Sequence, residues 1–102
     1  MITLIEEHKN SVVELCRKFL VRRLDLFGSA ATGKFSAQKS DLDFLVSFRT
    51  EDPREYKRCY FALAEALEKL FDRRVDLVTE RSVRNPYFRE VIEQTRQPLY
   101  AA

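Results

Sequence analysis

Apolar positions along this chain recur first with helical and then with strand spacing. Thr3 followed by Glu6 fits a capping box, and Ile5, Val12, Leu15, Cys16 and Phe19 share one helical face, which predicts a helix from Thr3 to about Phe19 or Leu20. A short apolar run, Leu24 to Phe27, ends at Gly28 and Ser29 and reads as a strand entering a tight turn. The small, polar segment from Ala30 to Lys39 suits one helical turn and a loop, and Asp41 to Phe48 is a second strand. Asp52, Pro53 and Glu55 supply an N-cap, a first-turn proline and an N3 carboxylate for a long helix. Its expected buried stripe is Tyr56, Tyr60, Leu63, Leu67, Leu70 and Phe71. Val75 to Thr79 is a third strand. Asn85 and Pro86 open a last helix with Phe88, Val91, Ile92 and Thr95 on one face, and Pro98 to Tyr100 can add an edge strand. This order predicts an α/β domain: a small sheet of three to four strands flanked by helices.

Composition narrows the class without changing that outline. At 102 residues the chain has room for a single domain, residues 1–102, and none for a separate substrate-binding unit. With 45% hydrophobic and 33% charged residues, two glycines and three prolines, neither disorder nor low complexity is expected. The apolar runs are too short for a membrane span, and the N-terminus lacks the basic start and apolar stretch of a signal peptide, so a cytoplasmic protein is expected. The net charge of +2 is spread evenly between the halves, which gives no basic arm and no expectation of direct DNA binding. Cys16 and Cys59 stand in expected helices with one histidine in the chain, so two buried reduced thiols are a better reading than a zinc site or a disulfide.

The informative residues are aspartates in strands, where this residue is depleted. The second strand opens Ser40-Asp41-Leu42-Asp43-Phe44-Leu45-Val46, and the third reads Val75-Asp76-Leu77-Val78. Alternation puts Asp41 and Asp43 on one face, about 7 Å apart by twice the strand rise. Two carboxylates that close repel, so a cation belongs between them, and an oxygen-only ligand set favours Mg²⁺ or Mn²⁺. Taken alone, an Asp-x-Asp is better explained by a solvated sheet face or a cap at the strand start. Gly28-Ser29 at the end of the preceding strand adds a turn through which backbone amides can approach an anion.

Together these features resemble a known family. The run Leu26-Phe27-Gly28-Ser29-Ala30-Ala31-Thr32-Gly33, continuing to Ser40-Asp41-Leu42-Asp43-Phe44-Leu45-Val46, resembles the signature of the polymerase-β-like nucleotidyltransferases. The whole chain resembles their smallest members, the MNT-type minimal nucleotidyltransferases, including the closing Asn85-Pro86-Tyr87 and Pro98-Leu99-Tyr100. The resemblance implies ATP as substrate, held by Gly28, Ser29 and Ser40, and two Mg²⁺ ions, with Mn²⁺ as a substitute, held by Asp41, Asp43 and Asp76. These three aspartates are then the expected catalytic residues, with Asp76 also the proton acceptor. It implies further that AMP passes to a hydroxyl, a tyrosine of a helical HEPN-type toxin, in a hetero-oligomer where this chain is the antitoxin. The alternative is a binding module that neutralises its partner by occlusion, with Tyr87, Phe88 and Tyr100 as docking surface. A free-standing transferase for small molecules fits less well, because so short a chain leaves the acceptor side open.

Two departures and several residues complete the expectations. Thr32 stands where such proteins often carry arginine, so a contact to phosphate is missing or falls to Lys34 or Lys39. Asp25, between Leu24 and Leu26, matches no ligand of the family and is expected to be solvated or at an edge. His8 is expected on the charged side of the first helix, Arg73, Arg74, Arg81 and Arg84 in solvent, and Tyr56, Tyr60, Phe61 and Phe71 in the core.

Overall fold

The computed structural model describes residues 2–32 and 41–102. Ser40, Lys34 and Lys39 lie outside the described residues. In chain order the elements are α1 (Thr3–Glu7), α2 (Lys9–Lys18), β1 (Val21–Phe27), α3 (Ser29–Thr32), β2 (Leu42–Phe48), α4 (Pro53–Phe71), β3 (Val75–Thr79), a 3-10 turn (Glu80–Ser82), α5 (Pro86–Thr95) and β4 (Gln97–Ala101). The strands form one mixed sheet in the order β3-β2-β1-β4, with β2 and β3 parallel and the other pairs antiparallel.

The first expected helix is two. Its N-cap position falls to Ile2 without a side-chain bond, so the Thr3 capping box does not form, and the helix breaks at His8. The His8 ring explains the break: Nδ1 lies 2.9 Å from the Leu4 carbonyl and the ring meets Phe71 edge-on, 5.3 Å between centroids. This histidine is half-buried, not on a charged face. β1 also starts three residues before Leu24, because a bulge between Val21 and Arg23 places Arg22 and Arg23 both in solvent and hides the alternation.

α4 starts as its sequence dictates. The Asp52 carboxylate accepts from the amides of Arg54 (3.0 Å) and Glu55 (3.5 Å), Pro53 follows, and the helix ends at Asp72 in the left-handed region. Its buried stripe is Cys59, Leu63, Leu67 and Phe71; Tyr56, Tyr60 and Leu70 are half-buried, while Phe61 points to solvent at 61% exposure, against expectation. With α1 and α2 this helix covers one sheet face, packing Leu24, Leu26, Leu42, Phe44 and Val46 into the main core. Cys16 and Cys59 are free thiols in that core, as their helical settings predict. The other face carries a smaller cluster, Phe27, Leu45, Val83 and Ile92, under α5. Asn85 caps α5 through the amides of Tyr87 and Phe88, but only Ile92 is fully buried; Val91 is exposed. Among the described residues no helix is long and apolar enough to cross a membrane.

Asp25 reverses its expectation. β1 is interior to the sheet, and Asp25 is fully buried on the α5 face, two residues before Phe27. A carboxylate there needs partners, and it has two arginines. Arg96, at the end of α5, grips it with Nε at 2.8 Å and with a short bond from a terminal nitrogen, and Arg23 donates at 3.1 Å. Arg96 also reaches Glu93 and Glu80. Removing one partner of such a pair strands a buried charge, whereas apolar replacement of both is often tolerated. Arg96→Met is therefore expected to lower the unfolding free energy by about 3 kcal/mol, and adding Asp25→Leu to recover most of that loss. Urea denaturation of the single and double variants decides it, additive losses contradicting the pairing.

Candidate nucleotide and metal site

The two core faces leave one row of the sheet for chemistry. In register, Phe27 of β1 stands opposite Asp43 of β2, and Asp43 opposite Asp76 of β3, so all three side chains project from one face. Asp41 lies just before β2, whose first amide, that of Leu42, is anchored on the Arg74 carbonyl at 3.2 Å. Asp41 and Asp76 are exposed, and Asp43 is half-buried. The Asp43 carboxyl is pushed up to about 6, first by burial and then by the negative charges of Asp76 and Asp41. Among the described residues no cation pairs with it, and no three Asp, Glu, His or Cys side chains are grouped to hold an ion by themselves.

Gly28 closes the row from above. Its φ of +73° is costly for other residues, and a Cβ there would lie 2.6 Å from Asp43 Oδ2, so the backbone favours glycine and any side chain would displace the Asp43 carboxylate. Ser29 opens α3, a single turn whose Ala31 and Thr32 amides donate to the Gly28 carbonyl. The Thr32 hydroxyl bonds the Ser29 carbonyl at 3.3 Å and so offers no charge in place of the usual arginine. The structure thus brings together Gly28, Ser29, Asp41, Asp43 and Asp76, which the sequence separates by up to 48 positions.

Around this row stand residues expected in the core, on a helix face or in solvent rather than at a site. Tyr60 of α4 donates its hydroxyl to the Leu77 carbonyl at 2.6 Å, and its own titration is raised by burial and by the charge of Asp76. With Tyr56, Phe61, Leu77 and Thr79 it lines an open cleft of about 420 Å³ along β3. Arg81 stacks 3.8 Å over the Tyr56 ring. Thr95 and Gln97 reach the Gly28 turn from the far end of the chain.

The model of the nucleotidyltransferase domain matches residues 8–99. The chain belongs to that family. Within it the chain is an MNT-type minimal nucleotidyltransferase, an enzyme class whose polymerase-β-like fold this sheet and its helices reproduce. It is 35% identical over 92 residues to the protein adenylyltransferase MntA of Thermococcus cleftensis, an alignment spanning 90% of this chain and 86% of that one. A Methanocaldococcus jannaschii relative, whose name proposes the same activity, is 34% identical over 91 residues, covering 89% and 86%. Among solved structures, a toxin–antitoxin complex with AMP-PNP superposes with a TM-score of 0.70 at 26% identity, over 92% of this chain and 73% of the other. Another, described as a proposed minimal nucleotidyltransferase, gives 0.69 at 32% identity over 95% and 96%.

The crowding of carboxylates has a measurable sign. Asp43 titrates near 3.8 without its surroundings and at about 6 within them, so the folded nucleotidyltransferase binds the extra proton between those values. The stability this proton brings is complete below about pH 4 and lost as pH rises through about 6. In metal-free buffer near neutral pH, Asp43→Asn is expected to be more stable than wild type by on the order of 1 kcal/mol after allowance for solvent screening, the two converging in acid. Denaturant unfolding across that pH range checks it; equal stability at neutral pH would contradict the repulsion.

Proposed function

We propose that this chain, as one minimal nucleotidyltransferase domain over residues 1–102, transfers AMP from ATP to a tyrosine hydroxyl of a HEPN-type toxin and so acts as its antitoxin. The observation that carries the reading is that, among the described residues, the acceptor side is open: Asp76 is exposed on the edge strand β3, near an open cleft lined by Tyr60 and Leu77. Such an open side suits a second macromolecule that brings the hydroxyl. The Thermococcus relative is named a protein adenylyltransferase, and the AMP-PNP structure is of a toxin–antitoxin complex, which supports the same partner class and a hetero-oligomer here. Its proposed place is the cytoplasm, where ATP is at hand.

The Gly28-Ser29 turn, with Ser40, holds the triphosphate, and its closeness to Asp43 sets the α-phosphate beside the carboxylates. Asp41, Asp43 and Asp76 fit a divalent site chemically, since they are oxygen ligands whose mutual repulsion a cation relieves and which need substrate phosphates to complete a ligand set. Two Mg²⁺ ions held there, or Mn²⁺ in their place, would neutralise the triphosphate and lower the pKa of the acceptor hydroxyl. The tyrosine oxygen forms its bond to the α-phosphorus as the bond to the bridging oxygen breaks, pyrophosphate leaves, and Asp76 takes the hydroxyl proton. Asp43, half-buried against Gly28, would hold the metal ions close to the bound triphosphate.

A second reading, neutralisation by occlusion alone, is favoured by α5, where Tyr87 is 79% exposed and Val91 is exposed beside it. Phe88 shares that surface, whereas Tyr100 is half-buried. One experiment separates the two: incubation with labelled ATP, Mg²⁺ and a HEPN-type toxin, using wild type, Asp41→Asn and Asp43→Asn. Transfer is expected to label the toxin with wild type only and to fall at least a hundredfold in the variants, the scale on which a stabilising group at the reacting phosphate acts. Full neutralisation by both variants with no labelled toxin would leave occlusion.

A further inference from the structure

Three consecutive residues at the junction of α5 and β4 grip three evenly spaced residues of the strand, turn and helix that carry Gly28. Arg96 binds the buried Asp25 carboxylate. Thr95 Oγ1 accepts the Gly28 N–H at 3.1 Å, and Gln97 Nε2 donates to the Ala31 carbonyl at 3.0 Å. The Thr95 bond has a fixed polarity. A hydroxyl has one proton, which Thr95 donates to the Val91 carbonyl at 2.8 Å, so its lone pair is what meets Gly28. The chain Gly28 N–H to Thr95 O–H to Val91 carbonyl thereby ties the turn to the body of α5.

This tie acts where tolerance is least. Gly28 sits against the Asp43 carboxylate in a left-handed conformation, and any outward drift of the turn opens the space between them. The same hydrogen bond engages the Gly28 amide, so that donor is directed into the protein. We propose that Thr95, Arg96 and Gln97 are positioning residues, which fix the Gly28-Ser29 turn beside Asp43 and so set the affinity for the nucleotide triphosphate without touching it. The proposal rests on the reading that this turn holds the triphosphate.

The test uses the full chain. Thr95→Val keeps the shape and removes the acceptor, Thr95→Ser restores it, and Gln97→Met removes the second bond from a half-buried position. Calorimetric titration with AMP-PNP and Mg²⁺ is expected to show affinity falling about five- to tenfold in Thr95→Val, the scale of one hydrogen bond, and recovering in Thr95→Ser. Gly28 amide exchange is expected to speed up in Thr95→Val without ligand, and the KM for ATP to rise while that for the protein acceptor stays constant. Should Thr95→Val fail to fold, Gln97→Met carries the same titration and KM comparison. Unchanged AMP-PNP affinity in a folded variant, beside a wild type that binds, overturns the positioning role alone. A wild type that does not bind AMP-PNP overturns the reading of the turn, and the positioning role with it.

Discussion

Asp43 faces Asp76 across one register position of a parallel strand pair, with Asp41 close by, and much of the molecule serves to hold that unfavourable arrangement. Left to themselves, the three carboxylates would spread apart or take up protons. The sheet prevents the first, because β2 is flanked on both sides and its alternate residues are locked into two cores. Gly28, by lacking a Cβ, lets the turn close over the Asp43 carboxylate. The stability lost to repulsion is regained elsewhere, chiefly by the main core beneath α4.

A contrast on the same face makes the point sharper. Asp25 lies on β1 one row away from the site, more deeply buried than Asp43, yet two arginines satisfy it. Asp43 has no such partner among the described residues. One aspartate is neutralised by the protein itself and serves to fasten α5; the others keep their charge for something that comes from outside. Across one row of the sheet, the chain thus separates a structural carboxylate from those proposed to act on a nucleotide.

Local signals made much of this legible. Strands β2 and β3, the helix opened by Asp52 and Pro53, and the turn at Gly28 follow from residues adjacent in sequence, and strand alternation puts Asp41 and Asp43 on one face, whereas Asp76 joins them through the parallel pairing of β2 with β3. What failed depends on distant partners. Asp25 looked like an edge residue because its cation, Arg96, is 71 positions away, although an aspartate between two leucines was itself a demand for one. His8 broke the first helix by packing on Phe71, and Phe61 left the core because α4 buries a narrower stripe than its aromatics imply. Thr95 and Gln97 carried no signal, since a hydroxyl and an amide near a helix end are ordinary until the turn they bind is in view.

The proposed transfer requires Gly28, Asp41, Asp43 and Asp76 to form one site for a metal-bound nucleotide. Paramagnetic broadening tests it most directly: substoichiometric Mn²⁺ added with AMP-PNP to the labelled protein, followed through backbone amide signals. Selective loss of the signals of these four residues before any others is the expected result, with no such selectivity in Asp43→Asn. Broadening centred on other acidic residues, such as Glu65 and Glu68 of α4, or identical in wild type and variant, would contradict it.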